Sequence, residues 1–126
     1  MAGLTLYSGA LIKYEDQDAT VRAWLDKASK AGPPPIVPAV VLAEAWRGGQ
    51  RSARVGRLLK QCRVKSITDE LAREAGLLIG AVGGNATIDA IVVVVAAQRG
   101  DIIITSDPRD LTALVTRYPT VSIRVV

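Results

Sequence analysis

The stretch "TIDAIVVVVAAQRGDIIITSD", residues 87–107, constrains this chain more than any other. It holds two apolar blocks separated only by Gln98-Arg99-Gly100-Asp101. Both blocks must be buried, and so short a connection allows few arrangements. The second, residues 102–105, is short and β-branched and reads as a buried strand. The first, residues 88–97, is rich in valine and has strong β propensity. Periodicity alone does not separate a buried strand from a buried helix here. Its flanks favour helix. Thr87 is placed to cap it, and Ala96-Ala97-Gln98-Arg99-Gly100 has the composition of a helix end. A buried helix that feeds directly into a buried strand belongs to a layered α/β fold.

The rest of the chain alternates in the same way. Residues 4–7 read as a short strand, and a helix-like stretch follows Ser8-Gly9. Val21, Trp24, Leu25 and Ala28 recur at helical spacing behind Asp18 as N-cap. Residues 36–37 form a second strand. Pro38 fits a first helical turn, and Val41, Leu42, Ala45 and Trp46 continue it to Gly48-Gly49. A basic helix over residues 50–61 and a strand over 64–67 come next. Thr68 caps a helix carrying Leu71, Ala72, Ala75, Leu78 and Ile79, which Gly83-Gly84 stops. After the strand at 102–105, Asp107 reads as an N-cap, with Pro108 at the first helical position and Asp110 in the first turn. Residues 121–125 are a last strand. The expected fold is α/β: a mainly parallel central sheet with helices on both faces.

At 126 residues there is material for one domain, residues 1–126. Gly32-Pro33-Pro34-Pro35 is a rigid connection rather than a domain boundary. Aromatic residues make up 4% and Phe is absent, so Val, Ile, Leu and Ala must fill the core. The lone Cys62 forms no internal disulfide and the N-terminus is not signal-like, which points to a reducing cytoplasm. The longest apolar run, residues 90–97, is far short of a membrane span, so no membrane partner is expected.

There is no histidine. That excludes Ser-His-Asp and Cys-His nucleophiles, a histidine general base and histidine-ligated zinc. Chemistry on this chain rests on carboxylates, hydroxyls, lysine or a metal held by oxygen.

Three acids sit where acids are costly. Glu44 lies on the otherwise apolar "PAVVLAEAW", Asp89 opens the most hydrophobic segment, and Asp107 ends "DIIITSD". Each has a plain structural reading. Asp107 caps a helix, Asp89 meets a helix dipole, and Glu44 pairs with Arg47 or faces water. Together they have another, because an α/β sheet can bring all three to the carboxyl edge of its strands. Clustered carboxylates are stable mainly around a divalent cation, and oxygen-only ligands suit Mg²⁺ or Mn²⁺. Metal-assisted phosphodiester hydrolysis is the matching chemistry and needs no histidine.

"LTLYSGALI", "VPAVVLAEAWRGG" and, most specifically, "IDAIVVVVAAQRGDIIITSDPRDL" resemble the PIN-domain ribonucleases, in particular the VapC toxins of toxin–antitoxin pairs. The resemblance runs over nearly the whole chain, in order. It implies a single PIN-like domain and Mg²⁺- or Mn²⁺-dependent cleavage of structured RNA such as tRNA or rRNA. It also implies a homodimer and silencing by a cognate VapB-like antitoxin. By position, Glu44, Asp89 and Asp107 match the second, third and fourth acids of that family's site and its metal-holding set. Asp110, Thr105, Ser106 and Ser8 are candidates for support.

The family's first acid is missing, and Tyr7 stands in its place. A phenol is neutral at pH 7 and a poor ligand for a hard cation. It either fills the metal pocket or offers its hydroxyl to a neighbouring carboxylate. The expectation is weakened metal binding and lost or strongly reduced cleavage. Arg47, Arg51, Arg54, Arg57 and Lys60 step by three or four residues along one stripe. Such a stripe suits RNA phosphates, an acidic antitoxin, or simply water. The alternative to an impaired nuclease is a catalytically inactive PIN-fold protein that binds RNA or antitoxin only. A small-ligand module of the flavodoxin type is disfavoured, because no Gly-rich phosphate loop follows the first strand.

Overall fold

A computed structural model describes residues 2–126. Five strands form one sheet: β1 (Leu4–Leu6), β2 (Ile36–Pro38), β3 (Arg63–Lys65), β4 (Ile102–Thr105) and β5 (Ser122–Val125). Their order is β3-β2-β1-β4-β5 and every pairing is parallel. Thr5 at the centre of β1 lies opposite Ile36 on one side and Ile103 on the other. The chain leaves β1 toward β2, whereas β4 lies on β1's other flank. The order therefore reverses between β1 and β4, and a crevice opens beyond their carboxyl ends.

Seven helices connect the strands: α1 (Ser8–Glu15), α2 (Ala19–Ala31), α3 (Ala39–Ala45), α4 (Ala53–Leu59), α5 (Asp69–Val82), α6 (Thr87–Ala97) and α7 (Arg109–Val115). α1 packs against α2, α3 and α4, while α6 packs against α5, α7 and strands β1, β2 and β4. The sheet is thus sandwiched between two helical layers.

The ambiguous segment is a helix, and its burial shows why valine is tolerated there. Every residue of α6 from Ala90 through Ala96 is buried. A helix apolar all round can only be a central one. Tertiary burial then outweighs the modest helix propensity of valine. Among the described residues, no single helix is long and apolar enough to cross a membrane.

Two predicted caps hold. Asp18 accepts a hydrogen bond from Val21 N at 3.0 Å, and Thr68 from Leu71 N at 3.1 Å. Several expected boundaries shift. Thr87 is the first residue of α6 rather than its cap, and its hydroxyl donates to the Asn85 carbonyl. Ser8 likewise opens α1, whose N-cap position is Tyr7. Pro38 closes β2, its extended ψ of 136° keeping it out of the helix. The basic helix begins as a 3-10 turn, Gly49–Ser52, because Gly48 and Gly49 take left-handed φ values of 78° and 55°. The buried Ser52 hydroxyl accepts from Arg47 N and Gly48 N and fixes that turn. β3 ends at Lys65 and β5 begins at Ser122. Both are edge strands, where one missing ladder lets the pairing stop early.

A charged network missed in the sequence ties the opposite end of the sheet. Asp101 is fully buried, takes a hydrogen bond from the Thr5 hydroxyl at 2.9 Å and pairs with Arg99 at 2.9 Å. Arg99 also donates to the carbonyls of Pro34 and Leu4. A Cβ on Gly3 would come within 2.7 Å of both charged side chains, so a larger residue there would have to displace them.

Candidate functional site

β1 delivers Tyr7 to the crevice. Its backbone N–H donates to the Ile104 carbonyl at 3.0 Å, extending the β1–β4 ladder by one residue. Its carbonyl then accepts from Ala10 N and Leu11 N, starting α1. Tyr7 is therefore both the strand end and the helix N-cap. A side chain with an oxygen on Cβ or Cγ would cap α1 from here. The tyrosine ring does not, and α1 has no side-chain cap. The ring is instead buried, at 8% exposure.

α1 enters against the turn after β4 with no space to spare. A Cβ on Gly9 would lie 2.0 Å from the Ser106 hydroxyl oxygen. The glycine thereby brings the two strand ends together. The Ser-Gly pair after the first strand was the available signal for this. Thr105, almost fully buried, donates its hydroxyl to the Asp107 carbonyl and accepts from Asp107 N, shaping the turn that carries Asp107.

Tyr7, Ser8, Asp89 and Asp110 line one cleft of about 210 Å³. Thr105, Ser106 and Asp107 line the same cleft. Glu44 lines an adjoining groove of about 400 Å³, together with Arg47, Arg51 and Arg54. Seven of the eight expected site positions thus share a cleft, and the eighth stands beside it.

Electrostatics separates these acids. Burial pushes the Tyr7 phenol far above its ordinary range, and the charges of Asp89, Glu44 and Asp110 push it further. Tyr7 is a neutral group at any ordinary pH. Burial also raises the Asp89 carboxyl. Its weak hydrogen bond to Tyr7 opposes that rise, while Asp110 and Glu44 reinforce it. Asp107 behaves differently. Its carboxylate grips the Arg109 guanidinium at 2.7 Å and accepts from Arg109 N, so its pKa is pulled down to about 2. The acids that act on Tyr7 are thus Asp89, Glu44 and Asp110. Asp107 is neutralised by Arg109 at the mouth of the cleft.

One atom in this region stands out. Glu44 Oε1 is buried and has no hydrogen-bond partner among the described residues. A buried carboxylate oxygen without a donor is costly, and a cation or a proton would relieve it. The donor set is all oxygen and suits a hard divalent ion. As placed, however, no three acids among the described residues lie close enough to hold one. The residues of this chain therefore do not make a finished cation site.

The basic residues are divided. Glu15, at the end of α1, accepts from Arg54 N and Val55 N and pairs with the Arg54 side chain at 3.4 Å. It caps α4 from outside, a role no local pattern announced. Arg47 donates to the carbonyls of Ala43 and Trp46 at the end of α3. Arg51, Arg57 and Lys60 are exposed, with no ion-pair partner among the described residues.

A family model described as the PIN domain matches residues 8–114. No curated protein sequence matches the chain. Solved structures do. VapBC2 from Rickettsia felis, bound to a DNA fragment from its promoter, is similar with a TM-score of 0.74 at 12% identity, over 98% of each chain. A toxin–antitoxin complex from Klebsiella pneumoniae gives 0.72 at 16% identity, over 94% of this chain and 95% of that one. DNA-bound VapBC from Salmonella typhimurium gives 0.71 at 15%, over 99% and 98%. At such identities the likeness establishes the fold.

Proposed function

Because this chain belongs to the PIN-domain family, we propose that it is a toxin of the VapC kind: by descent a Mg²⁺- or Mn²⁺-dependent endoribonuclease acting on structured RNA such as tRNA or rRNA, silenced by a VapB-like antitoxin, and impaired at Tyr7. The observation that carries this is the double position of Tyr7. It ends the strand at the topological switch point and occupies a helix N-cap, where aspartate would both cap α1 and face Asp89. A buried phenol leaves α1 uncapped and brings Asp89 a neutral group instead of a charge.

Asp89, Glu44 and Asp110 would hold a divalent ion if position 7 supplied another carboxylate, with Asp107 and Thr105 shaping the rim. Such an ion would lower the pKa of an attacking water and stabilise the leaving oxygen. In this chain no step runs through it. Tyr7 presents a neutral hydroxyl to Asp89 where a charged ligand is needed. The exposed Arg51, Arg57 and Lys60 supply phosphate attraction that does not depend on the metal. RNA affinity and cleavage are therefore separable here. The alternative, an inactive PIN-fold protein that only binds RNA or antitoxin, draws on the same Tyr7 geometry.

The test is to incubate the chain and its Tyr7→Asp variant with total RNA and Mg²⁺ or Mn²⁺. Cleavage by Tyr7→Asp alone supports an impaired nuclease. If neither protein cuts and neither binds Mn²⁺, the nuclease reading fails and the binding-only reading stands.

A further inference from the structure

Outside the acid cleft, an apolar depression remains that the proposed chemistry does not use. α3 stops at Ala45, and Trp46 turns extended, with φ −76° and ψ 129°. This throws the indole across to α4, where it passes Gly56. A Cβ on Gly56 would sit 3.5 Å from the ring. Trp46 remains 44% exposed. With Leu42, Ala43 and Leu59 it lines an open depression of about 460 Å³.

The surroundings are cationic. The Arg47 guanidinium is tied to the end of α3 by its hydrogen bond to the Trp46 carbonyl at 2.8 Å. Arg57 follows Gly56 on α4, and Lys60 lies one turn beyond it on the same face; both are exposed. Between residues 45 and 68 there is no acid. A large aromatic held in place and left half in water is costly for a surface position. A stretch of chain with basic residues and no acid attracts a polyanion. Bases stack on aromatic faces with little regard to sequence, while phosphates meet the cations around them.

We infer that Trp46 is a stacking platform for an unpaired nucleobase of bound RNA, with Arg47, Arg57 and Lys60 holding the flanking phosphates. This rests on the nucleic-acid reading above. The apolar floor is one indole and three small or aliphatic side chains, which suits one flat guest rather than the broad face of a protein helix. The platform would favour RNA with looped-out or frayed bases over uninterrupted duplex.

The chain has two tryptophans, so a Trp24→Phe background isolates the Trp46 signal. The probes are a mixed-sequence single-stranded RNA and its blunt duplex. The single strand should quench Trp46 emission and the duplex should not. Trp46→Ala should lower single-strand affinity by about tenfold with an unchanged salt slope, and Trp46→Phe should restore most of it. RNA binding that Trp46→Ala leaves unaltered overturns this inference alone. So does a Trp46→Ala variant that changes only the mass of the protein in solution, which would make the depression a contact between copies. Absence of RNA binding by the unaltered chain overturns the nucleic-acid reading itself.

Discussion

The Tyr7 phenol stands against the Asp89 carboxylate at the carboxyl end of β1, and each shapes the other's proton affinity. Asp89 raises the phenol, and the phenol restrains a carboxyl that burial has raised. Asp89 binds its proton more tightly in the folded chain than in the unfolded one. Between the two pKa values the folded state holds more protons, so stability falls as pH rises through the folded value. Asp89→Asn removes that loss. We expect the variant to gain stability at pH 7 and to lose the gain as pH drops below the ordinary carboxylate range. Urea denaturation across pH checks this, and a gain independent of pH refutes it.

Tyr7→Asp should cost stability before it helps. It removes a buried ring and sets a carboxylate beside Asp89, Glu44 and Asp110. The new cap on α1 returns only about 1 kcal/mol. A net loss of about 2–4 kcal/mol is expected in chelator. Mn²⁺ at about a hundredfold excess over its Kd should recover about 2.7 kcal/mol. The unaltered chain should respond little to Mn²⁺. Thermal melts of both proteins, with and without the ion, give the comparison; equal responses would contradict the incomplete-site reading.

Gly9 and Ser106 form a steric pair. Gly9→Ala drives a methyl into the Ser106 side chain and should destabilise by about 1–3 kcal/mol. Ser106→Gly removes the two nearest obstructing atoms and leaves the backbone N at 3.0 Å, so the double variant should recover part of the loss. A double-mutant cycle measures the coupling. Additive effects would mean the two strand ends do not meet there.

The Arg99–Asp101 pair predicts a large structural loss. Asp101→Ala leaves Arg99 without its partner and the Thr5 hydroxyl without its acceptor. We expect about 3 kcal/mol. Thr5→Val, which removes only the donor, should cost about 1 kcal/mol. Equilibrium unfolding ranks the two, and the reverse order would argue against the network.

The layered fold was legible because burial leaves a strong mark on sequence. A valine run abutting an isoleucine strand has one reasonable place, and Asp18 and Thr68 announce their caps by position alone. The site was legible as a list of acids at strand ends. Their relations were not, because these depend on side-chain direction and on partners far along the chain. Asp107 and Asp110 are three residues apart, yet Arg109 captures one and leaves the other to act on Tyr7. The use of Glu15 at the start of α4 lies 39 residues away. Asp101 is buried only because Thr5 and Arg99 meet it in the fold.

The valines of α6 carry a further consequence. An uncharged, β-branched stretch without proline is the kind of segment that stacks into intermolecular cross-β structure when released. Here helical winding and enclosure by α5, α7 and the sheet keep it sequestered. Partial unfolding of that layer would expose a self-associating segment along with the cleft behind Tyr7. Variants that loosen α5 or α7 should therefore be lost to aggregation in the cell well before their global stability is exhausted.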